Sequence, residues 1–495
     1  MKKTHEKNHL RLRGHSTRTS ANTISRRKLL VAGAGLAGLG LGLAARGRPQ
    51  SAPLLRSRGG ALTLDLDGRY GPVRLAGRTA NLFSYGGRVP GPRLEVRPGD
   101  EVTLRFANAL PEPTNLHFHG LHVPPTGNAD NVFLEIPEGE QLTYSFKIPE
   151  NHPAGTFWYH PHLHGLVAKQ VFLGMAGLFV VRGELDEVPE VAAAREQFAV
   201  LKDFAISGGR VPPPNPREFM RGREGSLVTV NGELEPEWSL ERGGLLRLRL
   251  LNASTARFYR LRLDGHPLFL IATDGGALEE PYELDELLLA PGERAEVLIR
   301  GDREPGRYTL WNLPYDRGGG MGMGGGMMGG YAADLRPRPL AHLVYSASRQ
   351  AVLPLPGRLG RVAELGQPKT IRRFVLGHQM RPGRGVAFTI NGRVFDPRRL
   401  DTRVRLGTVE EWEIVNAGVL DHPFHLHTNS FQVISRAGRP EPLRAWKDTV
   451  LVPAGSSVRL RVGFEDFPGK AVYHCHILEH EDLGMMGIVR FEEGA

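Results

Sequence analysis

Val102-Thr103-Leu104-Arg105-Phe106-Ala107-Asn108 alternates apolar and polar side chains. That is the period of a strand with one face in a core and the other in water. Upstream, Tyr85-Gly86-Gly87 leads into it through Pro92 and Gly99. The same order returns twice. Asn231-Gly232 leads through Pro236 and Gly243 into Leu246-Arg247-Leu248-Arg249-Leu250-Leu251-Asn252. Asn391-Gly392 leads through Pro397 and Gly407 into Val409-Glu410-Glu411-Trp412-Glu413-Ile414-Val415-Asn416. Each copy predicts a turn followed by a half-buried strand. Later, Gly155-Thr156-Phe157-Trp158-Tyr159 matches Gly469-Lys470-Ala471-Val472-Tyr473, and more loosely Gly306-Arg307-Tyr308-Thr309-Leu310. Three copies with this turn punctuation predict an all-β chain of three sandwich or barrel domains, at 52–185, 195–350 and 365–495. Links such as the stretch from Pro354 to Gly360 would join them.

The composition agrees. The 495 residues are too many for one ordinary core. The 62 glycines and 37 prolines favour turns and short strands over long helices. The net charge of +10 is misleading, because residues 1–50 hold 11 of the 63 basic residues and one of the 53 acids. The remainder is neutral and carries no polyanion-binding signal, so nucleic acid is not an expected partner. Ser25-Arg26-Arg27-Lys28-Leu29-Leu30 is a twin-arginine pattern, followed by a Gly-rich apolar stretch to Ala45. Residues 1–50 therefore read as a signal for the twin-arginine export machinery, with a periplasmic or extracellular destination. The apolar stretch is shorter than the ~20 residues of a membrane span. One cysteine, Cys475, excludes an intrachain disulfide.

The copies also locate the chemistry. Five and seven residues after the shared glycine stand His160 and His162 in the first copy and His474 and His476 in the third, but Trp311 and Leu313 in the second. Earlier in the copies come His117-Phe118-His119 and His425-Leu426-His427, with no counterpart in the second. On a strand, residues i and i+2 share a side. Four His-x-His units thus give eight imidazoles, split evenly between domains one and three, which suits a metal cluster shared across their interface. In His474-Cys475-His476 the cysteine faces the other way, where it could meet His422, His480 and Met485. Two imidazoles, a thiolate and a thioether make a blue-copper set. Zinc is the rival metal, but it has no redox chemistry and needs only four ligands. The count of eight remaining histidines allows three coppers with two, three and three imidazoles.

His474-Cys475-His476-Ile477-Leu478-Glu479-His480-Glu481-Asp482-Leu483-Gly484-Met485 resembles the copper signature of the multicopper oxidases. His117-Phe118-His119-Gly120, Trp158-Tyr159-His160-Pro161-His162 and His422-Pro423-Phe424-His425-Leu426-His427 resemble its other three motifs. The resemblance implies three cupredoxin-like Greek-key β-sandwich domains and four copper ions. It implies a type 1 copper on His422, Cys475, His480 and Met485, and a type 2 copper on His117 and His425. One type 3 copper would take His119, His160 and His476, the other His162, His427 and His474. It further implies acids that relay protons to reduced dioxygen, for which Glu481 and Asp130 are the candidates. Six other histidines, His122, His152, His164, His266, His342 and His378, fit no position shared by the outer copies and are expected at the surface or in hydrogen bonds.

The substrate is less sharply marked. Four of the ten methionines, Met321, Met323, Met327 and Met328, lie among nine glycines between Gly318 and Gly330. Thioethers select Cu(I). The segment resembles the Met-rich insertions of a bacterial copper-oxidising branch of the family, although Gly418 and Leu420 stand where that branch often carries Asp and Met. Cuprous ion, phenols and aromatic amines are the expected substrates, with Fe(II) and Mn(II) as further options and O2 as acceptor. A monomer is expected. The alternatives are a copper-sequestering protein and an exported scaffold that kept the fold without catalysis.

Overall fold

The computed structural model describes residues 52–318, 336–383 and 385–494. The expected export signal at 1–50 and the four loop methionines lie outside the described residues. Among those described, the strands form six sheets in three pairs, spanning 54–181, 195–349 and 370–492.

The sequence repeat is a repeat of strand pairing. Glu101–Ala109 lies parallel to Ala61–Leu75 and antiparallel to Gln141–Lys147. Leu245–Asn252 has the same two kinds of neighbour in Arg195–Phe204 and Arg294–Arg300. Thr408–Asn416 has them in Thr370–Arg381 and Ser457–Phe464. In the facing sheets, Gly155–His160, Arg307–Leu313 and Gly469–Cys475 each run antiparallel to the last strand of their group. On their other edge they pair with His117–His119, Tyr259–Leu263 and His422–Leu426. Leu104, Phe106 and Tyr144 fill the first sandwich, Leu248, Leu261 and Val297 the second, and Trp412, Phe424 and Leu460 the third. Fully burying such side chains is worth roughly 1.5–3 kcal/mol each, which holds the two sheets of each pair face to face. The architecture is all-β, three cupredoxin-like Greek-key sandwiches in series.

One expectation needs correction. Glu101–Ala109 alternates between exposed and buried as the sequence predicts. Leu245–Asn252 does not, because every residue in it is buried. Its polar face is covered. Leu251 and Phe198 pack against Trp158, Leu178 and Val180 of the first sandwich. Arg247 and Arg249 are neutralised by Glu296, Glu196 and Asp186. An alternating strand reads the same whether its polar face meets water or a set of buried acids.

The described helices are short, the longest of them six residues. None of the described helices is long and apolar enough to cross a membrane. Two of them bind the outer sandwiches together. The Asp482 carboxylate, at the end of Leu478–Asp482, accepts from the backbone N–H groups of Gly165, Val167 and Ala168, where Val167–Phe172 begins.

Candidate metal centre

Strand parity sorts the candidate ligand side chains. His425 lies opposite His474 in the antiparallel ladder, and Phe424 lies opposite Cys475. His474 and His476 therefore face one way, and Cys475 faces the other with His422. The Cys475 Sγ lies 3.4 Å from His422 Nδ1 and 3.8 Å from His480 Nδ1. The two Nδ1 atoms are 3.2 Å apart. Met485 is fully buried in the same core cluster as Cys475, and its carbonyl accepts from the Cys475 N–H at 3.0 Å. Met486, by contrast, packs with Val132, Val472 and Ile488.

On the opposite side, eight imidazoles converge from the first and third sandwiches. His162 Nε2 and His427 Nε2 each lie 3.1 Å from His474 Nε2. His160 Nε2 lies 3.5 Å from His119 Nδ1. His117 stacks on His427, and His119 on His425, with ring centroids 3.9 and 3.8 Å apart. His119, His425 and His476 lie around one another as well. All eight are buried.

The hydrogen bonds show what these rings are set up to do. His117 Nδ1 donates to Asp130, His160 Nδ1 to the Pro161 carbonyl and His474 Nδ1 to the Cys475 carbonyl. His425 Nδ1 donates to the Asp448 carbonyl, and His119 Nε2 to the Asp448 carboxylate. His480 Nε2 donates to the Met220 carbonyl. Each ring spends its N–H outward and keeps its lone pair for the inside. His117 Nε2, His425 Nε2 and both nitrogens of His476 find no hydrogen-bond partner at all. Buried lone pairs crowded in this way repel one another unless a cation lies among them. Burial and then the neighbouring imidazoles hold His117, His160, His427 and His476 well below the ordinary histidine range, and His162 is brought down to about 4. Burial, with His378 and Arg317 adding, takes His422 to about 3. Burial thus favours the neutral form of these six rings, the form in which an imidazole binds metal. Among the described residues, five groups of side chains have ligand atoms close enough for one ion: His117 with His119 and His160; His117 with His425 and His427; His162 with His427 and His474; His422 with Cys475 and His480; and His119 with His425 and Asp448. The donor set fits copper: many imidazoles, plus one thiolate beside two of them.

Both acids anticipated from the sequence are buried at this cluster. Asp130 accepts from His117 Nδ1 at 2.9 Å and from the Phe118 N–H at 2.8 Å, and burial pushes its carboxyl up to about 8. Glu481 has one oxygen 3.1 Å from His474 Nδ1 and the other 3.5 Å from His162 Nε2. The His474 N–H is already committed to the Cys475 carbonyl, so neither oxygen of Glu481 has a donor of its own. A third acid, Asp448, went unforeseen. It is buried against His119 and His425. No motif marks it, because only the pairing of Thr449 with His425 brings it there. The other histidines stand apart in hydrogen bonds, as with His122 on Asp466, His152 on the Pro153 carbonyl, His266 on Tyr345 and His342 on Glu235.

Sequence models of the family described as multicopper oxidase match residues 68–186, 196–323 and 367–495. The multicopper oxidase Mco of Staphylococcus haemolyticus is 30% identical over 420 residues, covering 83% of this chain and 84% of that protein. The chain belongs to the multicopper oxidase family. Among solved structures, a multicopper oxidase from Campylobacter jejuni, described as a metallo-oxidase, superposes with a TM-score of 0.79 at 32% identity, over 90% of this chain and 95% of that one. The family also reaches outside oxidases by name: the cell division protein FtsP of Edwardsiella tarda is 33% identical, over 94% of this chain and 98% of that protein. Membership implies copper as the cofactor, and O2 and a reduced substrate as partners.

Proposed function

We propose that this multicopper oxidase couples one-electron oxidation of cuprous ion, and of phenols or aromatic amines, to reduction of O2 to water. The observation that carries the reading is the complete set of twelve side chains. A scaffold that had abandoned catalysis would have no reason to keep eight lone pairs aimed inward and a buried thiol flanked by two of those histidines. A copper store would not need Cys475 on the same strand as His474 and His476.

His422, Cys475, His480 and Met485 would hold the type 1 copper, and His117 and His425 the type 2 copper. His119, His160 and His476 would hold one type 3 copper, and His162, His427 and His474 the other. Bound copper would supply the electron chemistry, four single electrons taken at the first site and delivered with four protons to one O2 to make two waters. Cys475 connects the sites, since its backbone runs directly into His474 and His476. Burial raises the Glu481 carboxyl, but His474 and His162 outweigh it and hold the group at about 2. It stands as a carboxylate that can take up a proton in passing beside those rings, whereas Asp130, raised by burial to about 8, can hold one beside His117. The buried apolar surround excludes bulk water.

Cuprous ion is favoured by where the Met/Gly segment departs. Gly318, the last described residue before it, bridges to Leu420, two residues from His422. The Arg317 carbonyl accepts from the Asp421 N–H and the Tyr315 hydroxyl donates to Asp421, both at the same edge. The segment that carries Met321, Met323, Met327 and Met328 thus follows on from a described residue, Gly318, that lies beside a proposed type 1 ligand. Our division of the chain is 52–185, 195–350 and 365–495, preceded by a twin-arginine signal, with a periplasmic or extracellular monomer serving copper tolerance. Steady-state oxygen consumption by the fully copper-loaded protein with Cu(I), Fe(II), Mn(II) and a phenol tests the reading. An intense visible thiolate–copper band and turnover with Cu(I) are expected. A fully loaded protein with no such band would end the type 1 assignment.

A further inference from the structure

The middle sandwich supplies none of the eight imidazoles, yet it reaches the cluster through one side chain. Arg294 begins the strand Arg294–Arg300 and is 1% exposed. All five of its guanidinium N–H groups have acceptors. Nε donates to the Thr156 carbonyl of the first sandwich at 3.0 Å. Nη1 donates to the Gly292 carbonyl and to Asp448 Oδ1, at 3.1 and 2.8 Å. Nη2 donates to the Asp274 carbonyl and to Asp448 Oδ2, at 3.0 and 2.5 Å. Asp448 belongs to the third sandwich. Its Oδ1 also accepts from His119 Nε2 of the first, at 3.0 Å, and from Thr449 Oγ1 at 2.8 Å. Its main-chain carbonyl accepts from His425 Nδ1 at 2.8 Å.

Asp448 therefore sets the tautomers of two rings from two domains. It holds the proton of His119 on Nε2 and that of His425 on Nδ1, which frees His119 Nδ1 and His425 Nε2 for the interior. We propose that Arg294 and Asp448 are positioning residues for the copper cluster, through which the ligand-free middle domain fixes the geometry at the interface of the other two. This rests on the copper reading above. Gly120 supplies independent support. It follows His119 with φ +85°, and a Cβ there would run into Arg294 Nη2 and Asp448 Oδ2. The glycine of His117-Phe118-His119-Gly120 is thus required by the Arg294–Asp448 pair and not only by its own turn.

A carboxylate behind a metal-bound histidine commonly accounts for ~10–100-fold in metal affinity. Asp448→Asn offers one acceptor oxygen where two are in use, so it cannot serve His119 and both arms of Arg294 together. Arg294→Lys keeps the charge but loses the fork, since an ammonium has three donors and no plane. The test compares both variants with the wild type by copper stoichiometry, visible absorbance and electron paramagnetic resonance. The blue band should persist, while copper in the histidine cluster falls ~10–100-fold in affinity and the type 2 signal changes. Wild-type stoichiometry and an unchanged type 2 signal in both variants would overturn the proposal, and so would parallel loss of the blue band. A second measurement needs no copper. Histidine-selective 15N NMR of the metal-free protein should show His119 protonated on Nε2 in the wild type and redistributed in Asp448→Asn. An unchanged His119 tautomer in that variant refutes the positioning role. If the wild type binds no copper but the His119 tautomer is still redistributed in Asp448→Asn, only the oxidase reading is refuted.

Discussion

The pleat of one strand puts the Cys475 sulfur on one face and the rings of its neighbours His474 and His476 on the other. Replacing the sulfur should separate the two sites without dismantling the second. In Cys475→Ser the visible thiolate band and all turnover should vanish, while about three of four coppers remain by elemental analysis. Sustained oxygen consumption in that variant would refute the electron path. The seryl hydroxyl is smaller and closely isosteric, so the buried position itself tolerates the change better than a truncation in a packed core would.

At the scale of elements, one turn presses on the cluster. In Pro291-Gly292 the glycine has φ +84°, and a Cβ there would stand 2.9 Å from three ring carbons of His476. Gly292→Ala adds a strained φ to an overlap with a ligand, each worth roughly 1–3 kcal/mol. A lowered Tm is expected, together with cluster copper lost in preference to type 1 copper. Equal retention of both coppers would show that the ring moves aside freely. The Met/Gly segment is the second element. Removing residues 319–330 while keeping Gly318 on its bridge to Leu420 should slow Cu(I) oxidation more than phenol oxidation. Equal loss of the two rates would leave the methionines without a special role.

Across the whole molecule, the first and second sandwiches meet over buried charge. Burial raises the carboxyls of Asp186 and Glu196, but Arg249, Arg247 and Arg182 outweigh it and bring both down to about 2. The unfolded values are about 4. A depressed folded value means stability that is present above pH ~4 and lost as pH falls toward 2. The Tm should therefore drop between pH 4 and 2, and Glu196→Gln should flatten that drop. A wild-type Tm level across this window would remove the network from the account of stability. The proposed export by the twin-arginine route is also tested on the whole molecule. Changing Arg26 and Arg27 together to Lys should leave the precursor inside the cell, as seen by fractionation; unimpaired export would exclude the twin-arginine route.

The amino-acid sequence by itself determined that there are three copies, that they are built of strands, and that the paired histidines face one way while Cys475 faces the other. Those properties follow from periods of two residues and from the parity of His-x-His and His-Cys-His, which no tertiary contact alters. The tertiary structure decided the rest. Leu245–Asn252 looked half-exposed because alternation cannot distinguish water from the buried acids that face Arg247 and Arg249. Asp448 and Arg294 carried no local mark, being 154 residues apart and joined only when three sandwiches close on one another. A ligand announces itself by its spacing along one strand. A residue that holds a ligand in place is defined by contacts between strands distant in the chain, and only the folded molecule brings those together.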